Sequence, residues 1–173
     1  MTNKKFRLGM LVMVLVFGMA VVGCDNGTGG GGSGNNGTIS GGTNYLSLYD
    51  DWSTATPSEA VLAAGGITEE QFNQIRDAGG AGGFFGWRLS YSLELLELVW
   101  TGRSEAHFNS LVIFLVHRLG WDYISRGIDA GGHYVSGRRY SIDFNPSRLE
   151  LYDPQIGIFY LPAGTMILYL SRY

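Results

Sequence analysis

The chain of 173 residues contains one cysteine, Cys24. A lone cysteine cannot form an intrachain disulfide, and it does not by itself make a thiolate metal site. A folded domain in this chain must therefore be stabilised by its packed core. The sequence has 9 Phe, 4 Trp and 10 Tyr for such a core, and all of them except Phe6 and Phe17 follow the cysteine. These aromatic residues favour a packed sheet, although they also suit a binding surface.

The residues before Cys24 have the layout of an export signal. A basic start at residues 4–7 precedes an apolar run at 8–22, and Gly23 stands directly before the cysteine. A membrane-spanning helix needs about 20 predominantly apolar residues, so this run is short for one. A small residue next to a lone cysteine is more typical of a lipoprotein cleavage site than of a plain anchor helix.

The first 28 residues, MTNKKFRLGMLVMVLVFGMAVVGCDNGT, resemble the leaders of spirochaete lipoproteins. The resemblance implies cleavage before Cys24, attachment of diacylglycerol and acyl chains such as palmitate to that cysteine, and anchoring in a membrane of the cell envelope. Two or more chains on one cysteine satisfy the requirement for stable anchoring. An uncleaved anchor over the same run is the alternative. The resemblance leaves the mature domain unidentified, and the leaflet, periplasmic or surface, stays open.

The charge of the expected mature chain excludes one class of partner. Both lysines, Lys4 and Lys5, lie in the leader together with Arg7, which leaves 9 arginines against 15 acidic residues and a formal charge of −6. An acidic domain is not suited to nucleic acid, whose phosphates attract basic surfaces. The membrane is therefore expected to be reached through the lipid on Cys24, and a protein or glycan ligand remains possible for the domain.

The composition divides the chain into three parts. Residues 1–23 are the expected signal peptide, and 24–44 are the lipidated cysteine with a Gly-rich flexible tether. Apart from Ile39, the tether has no sizeable apolar residue, so it cannot bury enough surface to fold. Residues 45–173 are then expected to form a single globular domain.

Capping signals predict two short helices and one long helix in that domain. Thr56, Pro57 and Glu59 predict a helix over 57–64 that stops at a pair of glycines. Thr68 and Gln71 form a second capping box before a helix over 69–78. Ser104 precedes the strongest apolar periodicity, which predicts a largely buried helix over 105–119 whose apolar face Ile113 and Phe114 widen.

The remaining apolar segments favour strands. The segment 88–100 fits either a strand with a bulge or a helix, and the strand is the more economical interpretation because a helix start follows directly. Further strands are expected after residue 134, at 140–144, 149–151, 156–160 and 165–170. The sequence therefore predicts an α+β domain, with a small antiparallel sheet of about four to five strands covered on one face by the three helices.

No pattern in the chain assigns catalytic residues, metal ligands or a cofactor. His107 and His117 are ten residues apart on one helix, about 15 Å along its axis, and cannot share an ion; His133 lies in a Gly-Gly-His loop. The pair Arg138-Arg139 suits a solvated hairpin tip better than an anion site. Carboxylates could still pair across a cleft as in a glycosidase; the candidates are Glu94, Glu97, Glu105, Asp129 and Asp143.

Three functional hypotheses follow. The first is a lipid-anchored envelope protein whose domain is a non-catalytic binding or interaction module. The second is an envelope hydrolase that uses carboxylates in a cleft. The third is a structural envelope protein that packs against a partner. Convergent acids in a deep polar cleft would favour the hydrolase, and a shallow patch of exposed Tyr and Trp would favour the binding module.

Overall fold

The computed structural model describes residues 43–90, 94–129, 132–154 and 157–172. Cys24, the expected signal peptide and nearly all of the expected tether lie outside the described residues. The described part is α+β, as the sequence predicts, with three α-helices numbered in chain order. They are α1 Glu59–Gly65, α2 Glu69–Ala78 and α3 Glu105–Ile113, the last of which continues as a π-helical turn, Phe114–Arg118.

The strands form two sheets. The nine strands β1 to β9 are Thr43–Asn44, Phe84–Ser90, Leu95–Trp100, Ser125–Asp129, Gly132–Ser136, Tyr140–Asn145, Leu149–Asp153, Gly157–Leu161 and Thr165–Leu170. The larger sheet has the order β2-β3-β9-β6-β5-β4 and is antiparallel throughout. The smaller sheet has the order β1-β8-β7, with β1 parallel to β8.

The prediction of one sheet of four to five strands is therefore wrong in size. The hairpin of β7 and β8 does not join the large sheet, and it pairs instead with β1 at the end of the expected tether. Strand β4 was not predicted, because Ser-Arg-Gly-Ile-Asp has a poor β-propensity and becomes a strand only by pairing with β5. The partition into two sheets depends on long-range pairing that local patterns do not specify.

The ambiguous segment 88–100 is neither a helix nor one bulged strand. It is an antiparallel hairpin of β2 and β3, in which Arg88 pairs with Glu97 and Ser90 with Leu95. Glu94 adopts a positive φ of 52° before β3 begins. Because glutamate rarely takes this conformation, the sequence offers no turn signal at this position.

The helix boundaries follow the capping residues with one correction. Helix α2 begins at the Thr68–Gln71 capping box, as predicted. Helix α1 begins two residues later than predicted, because Ser58 rather than Thr56 is its N-cap residue. The Ser58 carbonyl accepts the first helical hydrogen bond from Leu62, at 3.0 Å. Gly66 ends the helix with φ of 65°, the left-handed conformation that glycine favours.

Helix α3 packs on the large sheet but is less buried than predicted. Phe108, Leu111 and Leu115 are fully buried, whereas Ile113 is 57% exposed. The prediction that Ile113 widens the buried face is therefore wrong. The π-helical turn after Ile113 was not predicted either, because the apolar spacing assumes a regular α-helix.

The large sheet separates two apolar clusters. One face carries Leu98, Trp100, Phe144 and Leu168 against the three helices. The opposite face carries Val99, Ile167 and Tyr169, which pack with Leu46, Leu161 and side chains of β7. The helices thus cover one face, as predicted, and the small sheet covers part of the other.

Leu115→Ala is expected to lower the free energy of unfolding by about 2–5 kcal/mol, because Leu115 is fully buried between α3 and the sheet. His117→Gln, on the same helical turn but exposed, should change it by less than about 0.5 kcal/mol. Urea unfolding of both variants measures the difference. A Leu115→Ala protein as stable as the unmodified chain would contradict the assigned core.

Candidate functional site

The five candidate carboxylates do not converge on one site. Glu97 is buried and bound to Arg88 on the adjacent strand, with Nε to Oε2 at 2.8 Å and Nη2 to Oε1 at 3.1 Å. Glu105 lies on α3, 3.8 Å from the ring of His133. Glu94 is exposed at its turn. The charge of Asp129 acts on Asp143, as described below.

The Arg88–Glu97 pair is enclosed by aromatic residues of the N-terminal segment. The Arg88 guanidinium lies 3.4 Å from the ring centroid of Tyr49 and 5.1 Å from that of Trp52. It also donates to the Tyr45 hydroxyl, at 3.3 Å. Burial raises the pKa of Glu97 above its ordinary value although Arg88 lowers it. The arginine is thus held as an ion-pair partner in the interior and is not presented to a ligand.

Asp143 has the most perturbed carboxyl group among the candidates. It lies half-buried on β6, on the face that the small sheet partly covers, with Tyr134 and Ile167 as its cross-strand neighbours. Burial first, and then the charge of Asp129, raise its pKa from 3.8 to about 7. Such a carboxyl is neutral in mildly acidic solution and charged in mildly basic solution.

The histidines have separate structural surroundings. The ring of His107 lies 2.8 Å from the Ser104 hydroxyl and completes the capping box of α3. His133 packs against the rings of Phe108 and Phe144, and His117 is exposed. Within the described residues, no group of three or more His, Cys, Asp or Glu side chains could hold a metal ion.

The Arg138-Arg139 pair lies at the turn between β5 and β6, and both side chains have partners in the protein. Arg138 forms an ion pair with Asp122, at 3.1 Å. Arg139 donates to the Gly66 carbonyl, and its guanidinium lies 5.3 Å from the Trp121 ring. Arg138 is exposed, as expected of a hairpin tip, whereas Arg139 ties the hairpin to the end of α1.

A cleft of about 250 Å³ lies at the end of the β4–β5 hairpin. Asp129 and His133 contribute to its wall on one side, and Arg148 and Leu149 on the other. Asp143 lies outside this lining, so the carboxyl with the raised pKa does not combine with Asp129 to form a two-carboxylate cleft. A second groove, of about 410 Å³, lies between Pro57 and the first turn of α2.

Exposed apolar residues concentrate around strand β4. Ile124, directly before β4, is 60% exposed, and Ile128 within β4 is 74% exposed, so they lie two residues to either side of Arg126. Ile113 of α3 projects from the adjacent helix, where Asn109 accepts a hydrogen bond of 2.6 Å from Arg126. We call this region the β4 surface, and it is formed by Ile113, Tyr123, Ile124, Arg126 and Ile128. None of the exposed large apolar residues described is a Trp.

Within the part of the chain that the structure describes, the backbone of β4 has no strand on its outer side. Among the described residues, β4 pairs only with β5, whereas the other edge of the sheet is closed by Ser53. The Ser53 amide donates to the Trp87 carbonyl at 2.9 Å, and the Trp87 amide donates to the Ser53 carbonyl at 2.8 Å. An open strand edge with neighbouring apolar side chains is suited to binding another chain.

The sequence analysis did not identify the β4 surface. It assigned Ile113 to the core, and it assigned no element to residues 125–129. The available signal was weak, because Ile124 and Ile128 are single isoleucines among polar residues and isolated exposed apolar residues are common. They become a contiguous surface only when β4 pairs beside α3.

No family profile, curated protein or solved structure matches this chain at a significant level. Among the residues that the structure describes, no helix is both long and apolar enough to cross a membrane. Because nothing matches, the function of this chain is inferred from the contacts, exposure and charges of its own residues.

Proposed function

We propose that the protein is a lipid-anchored component of the bacterial cell envelope and that its domain is a non-catalytic interaction module. In this proposal Cys24 carries the lipid, residues 25–42 hold the domain away from the membrane, and the β4 surface binds a protein partner, while the last two residues of the expected tether belong to β1. The observation that carries the proposal is the open edge of β4 beside Ile113, Ile124 and Ile128.

The chemistry of the surface favours an extended protein segment over a small molecule. A partner strand can hydrogen-bond to the open backbone of β4 while its alternate side chains contact the isoleucines. The clefts near β4 and α1 are partly open to solvent, whereas small-molecule sites are concave and enclose most of their ligand. The buried Arg88 is already paired with Glu97 and is not available to a small-molecule ligand.

Site-specific photo-crosslinking tests this proposal. A photoreactive residue at position 124, in the full chain and in its native membranes, should give protein adducts on irradiation. The matched control is position 158, because Ile158 is 51% exposed on β8 but lies on the other sheet. Equal adduct yields at both positions, or none at position 124, would contradict the proposal. Turnover of an envelope substrate that is lost in Asp129→Asn would instead support the hydrolase.

Cys24→Ala is expected to abolish membrane anchoring, because no other cysteine can accept the lipid. The variant should lose incorporation of labelled palmitate and move from the membrane to the soluble fraction of lysed cells. Cys24 is the predicted modification site, and a conservative Val22→Ala variant serves as the control for the leader. A Cys24→Ala chain that sediments with membranes and carries the label would contradict the lipoprotein assignment.

A further inference from the structure

The groove between α1 and α2 is a candidate binding site outside the β4 surface. Its volume is about 410 Å³, which falls in the range of about 300–1,000 Å³ that is usual for ligand sites in proteins. We call it the α1–α2 groove. Besides Thr68 it is lined by four apolar residues and two glutamates, namely Pro57, Leu62, Ala63, Ile67, Glu59 and Glu69. No basic residue of the described chain lines it, so the groove combines apolar surface with negative charge.

The apolar floor of the groove is held in place by the turn between the two helices. Leu62 and Ile67 are each 5% exposed, and the Ile67 amide donates to the Leu62 carbonyl at 3.0 Å. Helix α1 lies directly on β3, because a Cβ added at Gly65 would be 2.8 Å from the Leu96 side chain. The Thr68–Gln71 capping box fixes the start of α2. The groove is therefore formed before a ligand binds, which lowers the entropy cost of binding.

The two glutamates of the groove are not neutralised within the domain. Glu59 and Glu69 are exposed, and neither side chain forms a hydrogen bond or an ion pair with the residues that the structure describes. Arg139 donates to the Gly66 carbonyl at the end of α1 and does not line the groove. Each helix start contributes a partial positive charge of about half a unit at most. Two full negative charges exceed this contribution, so the groove stays negative.

We propose that the α1–α2 groove binds a basic side chain, lysine or arginine, of an extended protein segment. The aliphatic part of that side chain lies on Leu62 and Ile67, and its charged end pairs with the carboxylates of Glu59 and Glu69. The groove is partly open to solvent, so a side chain can enter while the backbone of the segment stays outside. This inference goes beyond the proposed function, because the groove is separate from the β4 surface.

Charge complementarity selects this occupant over the alternatives. An acidic segment would be repelled by Glu59 and Glu69. A purely apolar side chain would remove water from the two carboxylates and give them no partner in return. The acidic composition of the expected mature chain also attracts basic segments before contact.

Titration with two matched probes tests this site. N-acetylarginine amide carries the positive charge, and N-acetylcitrulline amide has nearly the same shape without it. Amide NMR shifts of the full chain in mild detergent, followed at Ile67, Thr68 and Glu69, measure the dissociation constant of each probe. The arginine probe should bind at least about fivefold more tightly than the citrulline probe. Salt at about 0.5 M should remove most of this difference.

Two substitutions and one control locate the charge that the probe contacts. Glu59→Gln and Glu69→Gln should each weaken binding of the arginine probe by about twofold to fivefold and leave the citrulline probe unchanged. Glu70→Gln is the matched control, because Glu70 is also an acidic residue in the first turn of α2 but accepts from Gln74 and lies outside the groove. This control should bind the arginine probe as the unmodified chain does.

Equal binding of the two probes would overturn the inference, as would the absence of any shift at the groove. Equal weakening by Glu69→Gln and Glu70→Gln would also overturn it, because the effect would then come from the charge of the helix start and not from contact in the groove. These outcomes are distinguishable from failure of the proposed function, which crosslinking at position 124 tests on a different surface.

Discussion

Arg88→Ala is expected to lower the free energy of unfolding by about 3–5 kcal/mol, because it leaves the buried Glu97 carboxylate without its partner. The same change removes the guanidinium that contacts the rings of Tyr49 and Trp52, so the N-terminal segment loses one of its contacts with β2. In a domain of this size the loss corresponds to a fall in Tm of at least about 10 °C. Thermal unfolding followed by circular dichroism measures it.

The matched control is Arg76→Ala. Arg76 also pairs with a carboxylate, that of Asp77, at 3.1 Å, but both side chains are partly exposed. An exposed pair contributes about 0–1 kcal/mol, so this variant should unfold close to the unmodified chain. The double variant Arg88→Met/Glu97→Leu should recover much of the lost stability, because no buried charge remains unpaired. Similar losses for Arg88→Ala and Arg76→Ala would contradict the buried pair.

Asp143→Asn is expected to remove a large part of the pH dependence of stability. The pKa of Asp143 is raised from 3.8 to about 7 in the folded domain, so the folded state favours the neutral carboxyl. Its contribution is fully present below pH 3.8 and is lost as the pH rises to about 7. The shift corresponds to about 3–4 kcal/mol between pH 4 and pH 8.

Urea unfolding at pH 4 and at pH 8 measures this effect. The asparagine variant should equal the unmodified chain at pH 4 and exceed it by about 3–4 kcal/mol at pH 8. Asp77→Asn, an exposed aspartate on α2, is the control and should change stability by less than about 1 kcal/mol at both pH values. If Asp143→Asn gives no gain at pH 8, the carboxyl is not held in a low-dielectric site.

The sequence predicted those elements whose signals are local. Thr68 and Gln71 define the start of α2 in one turn, and Pro162 with Gly164 separates β8 from β9. Alternation of apolar residues marks β6, because the helices cover one face of that strand, whereas β9 is a continuous apolar run that is buried on both faces. These features depend on a few neighbouring residues, and they need no knowledge of distant partners.

The sequence could not predict the features that depend on distant partners. Leu89 to Leu95 alternate as one strand would, yet the chain turns there and Glu94 takes a positive φ. Nothing in the sequence distinguishes Glu97 from the other acidic residues, because its pairing with Arg88 follows from the β2–β3 hairpin. The exposure of Ile113 depends on where α3 lies over the sheet, and the helical periodicity alone placed that residue in the core.

The β4 surface also depends on distant partners and could not be predicted from the sequence. Ser125 to Asp129 have neither the alternation nor the composition of a predicted strand, and their conformation follows from pairing with His133, Tyr134 and Val135. Whether an edge is open depends on the order of all six strands. Cys24 is the opposite case, because its proposed role depends only on the residues directly before it.

Hydrogen exchange of the β4 amides tests most directly whether the β4 edge is the binding surface. Exchange is compared between the full chain in its native membranes and the same chain diluted in detergent. We expect the outward-facing amides of Ser125–Asp129 to exchange at least about tenfold more slowly in the membranes, because a partner strand accepts their hydrogen bonds, while the amides of β7 remain unchanged. Equally fast exchange of β4 in both preparations would contradict the account.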